Sequence, residues 1–158
     1  MRYLEDKEKI EAGKWMDYAQ KEAEKSPCYK SKRGAIITNA KFIIGRGFNR
    51  PPGNFKCDQS ICRKFCSDYT VHAEMVAMHD ALKNSVYALK GLTLYHAKIK
   101  NGVVTPVSKP SCVDCSKHIY DWGISAVVLQ LKEGLMLYDS REFHELSLKS
   151  LEEKMKNG

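Results

Sequence analysis

Residues 70–82 read Thr70-Val71-His72-Ala73-Glu74-Met75-Val76-Ala77-Met78-His79-Asp80-Ala81-Leu82. The stretch holds no Gly or Pro, and Met75, Met78, His79 and Leu82 recur at helical spacing. This predicts a helix over residues 72–84 with that face turned inward. A strand at 92–99 follows it, and the same alternation continues outward in both directions. Upstream, Ala12, Trp15, Met16, Ala19 and Ala23 predict an amphipathic helix from about 10 to 25, ended by Pro27. Residues 34–38 and 41–45 are β-branched and apolar and are joined through Asn39-Ala40, which predicts a hairpin. From 45 to 68 no period is sustained, and a long shaped loop is expected.

Downstream, Asn101-Gly102 is a strong turn signal leading into a strand at 103–107. A third helix is expected over 111–122 and a buried strand over 126–131. Lys132-Glu133-Gly134 turns the chain into a strand at 135–138. Asp139 or Ser140 then caps a last helix that carries Phe143, Leu146 and Leu151. Helices alternating with strands predict a three-layer α/β/α sandwich around one central mixed sheet of about five strands.

The chain has 158 residues, 43% of them hydrophobic, which suits one core and a single domain over 1–158. No apolar run reaches the length of a membrane span, and the opening MRYLEDKEK lacks the apolar stretch of a signal peptide, so a soluble, cytoplasmic protein with no membrane partner is expected. Six cysteines in such a chain read as thiols or metal ligands rather than disulfides. The formal charge of +7, from 26 basic and 19 acidic side chains, suits phosphate-bearing partners from nucleotides to RNA. A solvated basic surface explains it equally well.

Two motifs carry chemistry, each opening a predicted helix. One is His72-Ala73-Glu74; the other is Pro110-Ser111-Cys112-Val113-Asp114-Cys115. Cys112 and Cys115 are three apart, so on a helix they share a face and can grip one Zn2+ together with His72. A helix N-terminus favours thiolate over thiol. Three protein ligands leave a fourth position open for a water that loses a proton near neutral pH, which marks a catalytic zinc rather than a closed structural one. Glu74 is placed to take that proton and pass it to a leaving nitrogen. H-x-E followed by C-x-x-C is the pattern of zinc enzymes that remove the amino group of a nucleobase.

At these residues the chain resembles the cytidine/deoxycytidylate deaminase superfamily, over most of residues 25–131, and its deoxycytidylate deaminase branch in particular. Arg33-Gly34-Ala35-Ile36-Ile37 is similar to that branch's first core strand, and Gly45-Arg46-Gly47-Phe48-Asn49-Arg50-Pro51-Pro52-Gly53 to its substrate loop. The resemblance implies a cytidine deaminase-like fold and hydrolytic deamination of a cytosine nucleotide, dCMP to dUMP, by zinc-bound hydroxide at C4 with Glu74 as proton shuttle. It also implies a homo-oligomer. Cytidine or deoxycytidine, or a base in tRNA or other nucleic acid, are the alternative substrates. A non-catalytic nucleotide-binding relative is the alternative of another class.

Asn49 is the leading substrate-binding residue by resemblance, although an asparagine there can equally satisfy a turn. Ala73 and Ser111, each beside a metal ligand, complete the set with Arg33, whose guanidinium suits a phosphate. Ser111 stands between Pro110 and Cys112 where the family joins proline directly to cysteine, and Val76 stands where many deoxycytidylate deaminases have Asn. The 98–107 hairpin extends the strand before the cysteine motif. The turn at Gly134 predicts an antiparallel fifth strand, more like the free-nucleoside enzymes. Cys28 and Cys57 are similar to thiol ligands of a second, structural zinc in phage-type relatives, with Cys62 and Cys66 bringing the number to four; buried free thiols are the other reading. His79, His96, His118 and His144 have no ligand-like spacing and read as packing histidines.

Overall fold

Gly34 through Thr38 in strand β2 (Lys32–Thr38) are all buried, because both faces of this strand are covered. Ala35 and Ile37 enter one apolar cluster, whereas Ile36 enters another on the opposite face. The computed structural model describes every residue except 54, 58, 59, 61–68, 85–88, 108, 109, 111, 157 and 158.

The sheet runs in the order β1 (Arg2–Tyr3), β7 (Leu135–Asp139), β6 (Ala126–Gln130), β4 (Thr93–Lys100), β2, β3 (Ile43–Phe48), while β5 (Val103–Val104) pairs with β4. Among the described residues only β4 and β6 pair in parallel, with Thr93 opposite Ala126 and His96 opposite Leu129. The chain makes that parallel crossover through helix α3 (Val113–Asp121). Helix α1 (Asp6–Glu24) buries Ala12, Met16, Ala19 and Ala23 against one face. Helices α2 (Ala73–Asn84) and α3, with α4 (Ser140–Lys156), cover the other, where Ala77, Ile119 and Phe143 share a core with Leu94 and Leu129. The predicted α/β/α sandwich and its mixed sheet are therefore present, with β7 antiparallel to β6 as the Gly134 turn requires.

Several boundaries differ from the sequence reading. The sheet has seven strands among the described residues rather than about five; β1 and β5 are two-residue strands too short to carry a pattern. The second hairpin strand spans Ile43–Phe48 instead of 41–45, so the expected loop at 45–68 begins later. Gly45 and Gly47 are not breaks in that strand: a Cβ on Gly45 would stand 2.2 Å from the Ala77 carbonyl, and one on Gly47 2.4 Å from the Ala77 nitrogen. Their missing side chains let α2 lie directly on the backbone of β3. For the same reason α2 buries Ala73, Ala77 and Ala81 with Glu74 and Met78, and Leu82 is 44% exposed. The 103–107 strand is shortened to Val103–Val104, after which Val107 crosses to hydrogen-bond Gln130. Asp139 is the cap of α4, its Oδ1 accepting from the amides of Arg141 and Glu142, and Leu151 on that helix is exposed.

Candidate active site

His72 lies immediately before α2, and its position is fixed from both sides. Val71 exchanges two backbone hydrogen bonds with Arg50, at 3.2 and 2.9 Å, which ties this segment to the end of β3. Val76 donates to the His72 carbonyl and starts the helix. Cys112 is the N-cap residue of α3 and Cys115 stands in its first turn, buried. Because α2 and α3 rest on the same sheet face, their starts converge. His72 Nδ1 is 3.2 Å from Cys115 Sγ, and the ligand atoms of His72, Cys112 and Cys115 all lie within 4.8 Å of one another.

A tetrahedral zinc with ordinary Zn–S and Zn–N bonds needs such atoms about 3.5–3.8 Å apart. The observed cluster brackets that spacing, and one imidazole with two thiols is a donor set suited to zinc. The residues present therefore fit the ion, and they are the one such group among the described residues.

The charges of the cluster are mutually arranged. Hydrogen bonds from the Cys115 thiol and then from His72 hold the Cys112 thiol down to about 4. The amides of Cys115 and Asp114 act in the same direction, although the Cys112 side chain makes no full capping bond. The Cys115 thiol is pushed up in return, first by its bond to Cys112 and then by burial. His72 is raised above its ordinary value, chiefly by the same Cys112 sulfur, with the Glu74 carboxylate adding to it and burial opposing.

Glu74, in the first turn of α2, is 3% exposed. His96 Nε2 on β4 approaches its Oε1 at 3.9 Å. Burial presses the His96 ring toward its neutral form, against the pull of Glu74. His96 joins the site without any sequence signal of ligand spacing; only the two-residue alternation of β4, which gives Leu94, His96 and Lys98 one face, pointed to it.

The same alternation brings two cations to the rim. Arg33 and Lys98 are directly opposite on β2 and β4. Both repel a proton on His96, and Arg33 repels one on His72, which places their charges on the side of the site. Both side chains are half-buried, and neither makes an ion pair among the described residues. Like charges facing each other across a ladder are unfavourable unless an anion joins them.

Asn49 is 7% exposed, and its side chain is largely engaged. Oδ1 accepts from Ser26 Oγ and the Arg33 amide at 2.7 and 2.8 Å, and Nδ2 donates to the Ser31 carbonyl at 3.0 Å. One Nδ2 hydrogen is left for a ligand among the described residues. The reading of Asn49 as a residue that satisfies turn backbone thus accounts for most of its side chain. Ala73 is fully buried beneath β3, and Ser111 lies outside the described residues. Arg46 turns away to Glu22 at 3.8 Å.

The described cysteines and histidines other than these stand elsewhere. Cys28 is buried, with its sulfur accepting from the Ser31 amide at 3.4 Å, and Cys57 is half-buried. Cys62 and Cys66 lie outside the described residues, as does the four-thiol arrangement they would complete. His79 and His118 pack against Trp122, and His144 hydrogen-bonds Ser116 at 2.9 Å while stacking on Tyr120.

Comparison with known proteins agrees with this geometry. The family model described as "Cytidine and deoxycytidylate deaminase zinc-binding region" matches residues 9–131. Among solved structures, dCMP deaminase from the cyanophage S-TIM5 in apo form is 26% identical, with a TM-score of 0.57 over 73% of this chain and 79% of that one. The same enzyme in complex with dCMP and dUMP is 25% identical, with a TM-score of 0.60 over 78% and 82%. Cytidine deaminase from Burkholderia pseudomallei, at 16% identity and a TM-score of 0.58 over 83% and 94%, shares the fold. Among curated proteins none matches the chain.

Proposed function

Since the chain belongs to the cytidine and deoxycytidylate deaminase family, we propose that it hydrolyses the amino group of a cytosine nucleotide, dCMP to dUMP in type. The observation that carries this reading is the buried Glu74 carboxylate two residues from His72, which forms a cluster of zinc dimensions with Cys112 and Cys115. His72, Cys112 and Cys115 hold the metal. Bound there, zinc supplies Lewis acidity that brings a water's pKa near neutrality. Glu74 takes one proton from the attacking water and returns it to the departing nitrogen. The water oxygen bonds to C4, its second proton passes to ring N3, the C4–N4 bond breaks, and the products are dUMP, with its glycosidic bond intact, and ammonia. Burial of Glu74 keeps bulk water from competing for that proton.

Arg33 and Lys98 favour a nucleotide over a nucleoside, since a phosphate would bridge two cations that otherwise oppose each other. The remaining Asn49 N–H faces a sugar or base oxygen in this reading. The cyanophage enzyme crystallised with dCMP and dUMP supports the same substrate class. The antiparallel β6–β7 pair favours the free nucleoside as the second reading.

The test is ammonia release from cytosine, cytidine, deoxycytidine, CMP, dCMP, dCTP and a tRNA pool by zinc-loaded protein, beside Glu74→Ala. Release from dCMP, absent in Glu74→Ala, is the expected result. Release from deoxycytidine at equal efficiency would move the assignment to the nucleoside, and release unaffected by Glu74→Ala would remove the proposed mechanism. Metal analysis of the same sample reads one zinc per chain if Cys28, Cys57, Cys62 and Cys66 are thiols and two if they bind a structural ion.

A further inference from the structure

His96 is the buried polar group that the chemistry above leaves without a task. It is 3% exposed, and its Nε2 has no hydrogen-bond partner among the described residues. Leaving a ring nitrogen buried and unpaired is costly, and a leucine would fill the same space under α2 without that cost. The nitrogen is aimed at one group: Glu74 Oε1, 3.9 Å away. That distance is too long for a hydrogen bond. It is also short enough for rotation about the last Glu74 side-chain bond, a broad torsion, to close it.

We propose that His96 is a positioning residue of the active site, whose Nε2–H donates to one carboxylate oxygen of Glu74 and holds the other toward the reacting atoms. The proposal rests on the reading of Glu74 as the proton carrier. A neutral ring suits the part, and the surroundings keep it neutral: burial opposes its protonation, and Arg33 and Lys98 repel a further positive charge. A neutral donor fixes the carboxylate without giving it a proton of its own, so Glu74 stays ready to accept the one from water. The metal-ligating side of the site is left unchanged, because His72 and the two cysteines are held by α2 and α3 while His96 comes from the sheet beneath.

The test uses the zinc-loaded full chain. With labelled histidine ring nitrogens, NMR is expected to find the His96 proton on Nε2, with a resonance that moves in Glu74→Ala. A proton on Nδ1 alone, or an Nε2 proton indifferent to Glu74→Ala, would overturn the proposal, and neither result needs a His96 variant to fold. On the substrate identified by the panel, His96→Leu is expected to lower kcat about 10- to 100-fold with KM within about twofold and zinc content unchanged. His96→Gln, which keeps an N–H donor, is expected to recover most of that loss. A leucine variant as fast as the parent, or a glutamine variant as slow as leucine, would also sink the idea. If no compound of the panel is turned over, the proposed function fails, while the NMR measurement still decides the place of His96.

Discussion

Cys115 Sγ stands 3.2 Å from His72 Nδ1, although 43 residues separate them along the chain. The contact joins the start of α2 to the first turn of α3, and both helices are seated on one sheet face. Each ligand is therefore placed by packing that extends well beyond the cluster.

Replacing Cys115 by Ser removes a thiol that is fully buried. Zinc content is expected to fall to near zero and deaminase activity by more than about 100-fold. Chelation of the unaltered protein should lower its melting temperature, because the ion binds only the folded arrangement; ligand at a hundred times its Kd contributes about 2.7 kcal/mol. Metal analysis and thermal melting before and after re-addition of zinc check both statements.

Zinc uptake is expected to release protons in a pH-dependent number. Cys115 is raised, so it carries a proton that the metal must displace throughout the working range. Cys112 is already a thiolate and gives up none above about 4. His72 is raised, so as pH falls toward and below its ordinary value near 6.5 it too holds a proton that zinc must expel. The count should therefore rise from about one in mildly alkaline solution toward about two in mildly acidic solution, with affinity falling in the same direction. Titration calorimetry in buffers of different ionisation enthalpy measures it.

Arg33→Ala and Lys98→Ala are expected to raise KM for dCMP about tenfold or more each and to leave KM for deoxycytidine nearly unchanged, since a charge-assisted bond to phosphate is worth about 1.5–3 kcal/mol. Steady-state kinetics on the matched pair of substrates reads the difference. Equal losses on both would show that these side chains do not meet the phosphate.

Gly47→Ala places a methyl 2.4 Å from the Ala77 nitrogen and 2.5 Å from the Ala73 carbonyl, both backbone atoms. Either α2 lifts or β3 yields, at an expected cost of about 1–3 kcal/mol. Denaturant melting should show the loss, and zinc affinity should fall with it because His72 rides on the displaced helix. Gly13→Ala, where a Cβ would meet nothing and the backbone is helical, serves as the contrast for packing.

The motifs of the site were legible because their chemistry is local: H-x-E and C-x-x-C each lie within one helical start, and spacing alone carries them. The layer order was legible for a similar reason, since Val127 belongs to a strand whose apolar run, Ala126 to Leu129, is unbroken. What the sequence hid depends on distant neighbours. Gly45 and Gly47 read as punctuation until α2 is seen against them, and Ala77 gains its importance from the glycines rather than from its own hydrophobicity. His96 looked like any packing histidine because Glu74, its partner in space, comes 22 positions earlier, on another element. Arg33 gave a weak sign of a phosphate site; its register against Lys98 supplies the second cation.

The bridge between Arg50 and Val71 makes one short piece of backbone common to two kinds of guest. Under the proposed function, a nucleotide held by Arg33 and Asn49 would lean on the strand end that leads to Arg50, and one residue beyond the bridge stands His72. Whatever strain or relief the first guest brings to that backbone is felt by the second. The two occupancies would then be thermodynamically linked, and any factor by which zinc tightens the hold on nucleotide is the factor by which nucleotide tightens the hold on zinc.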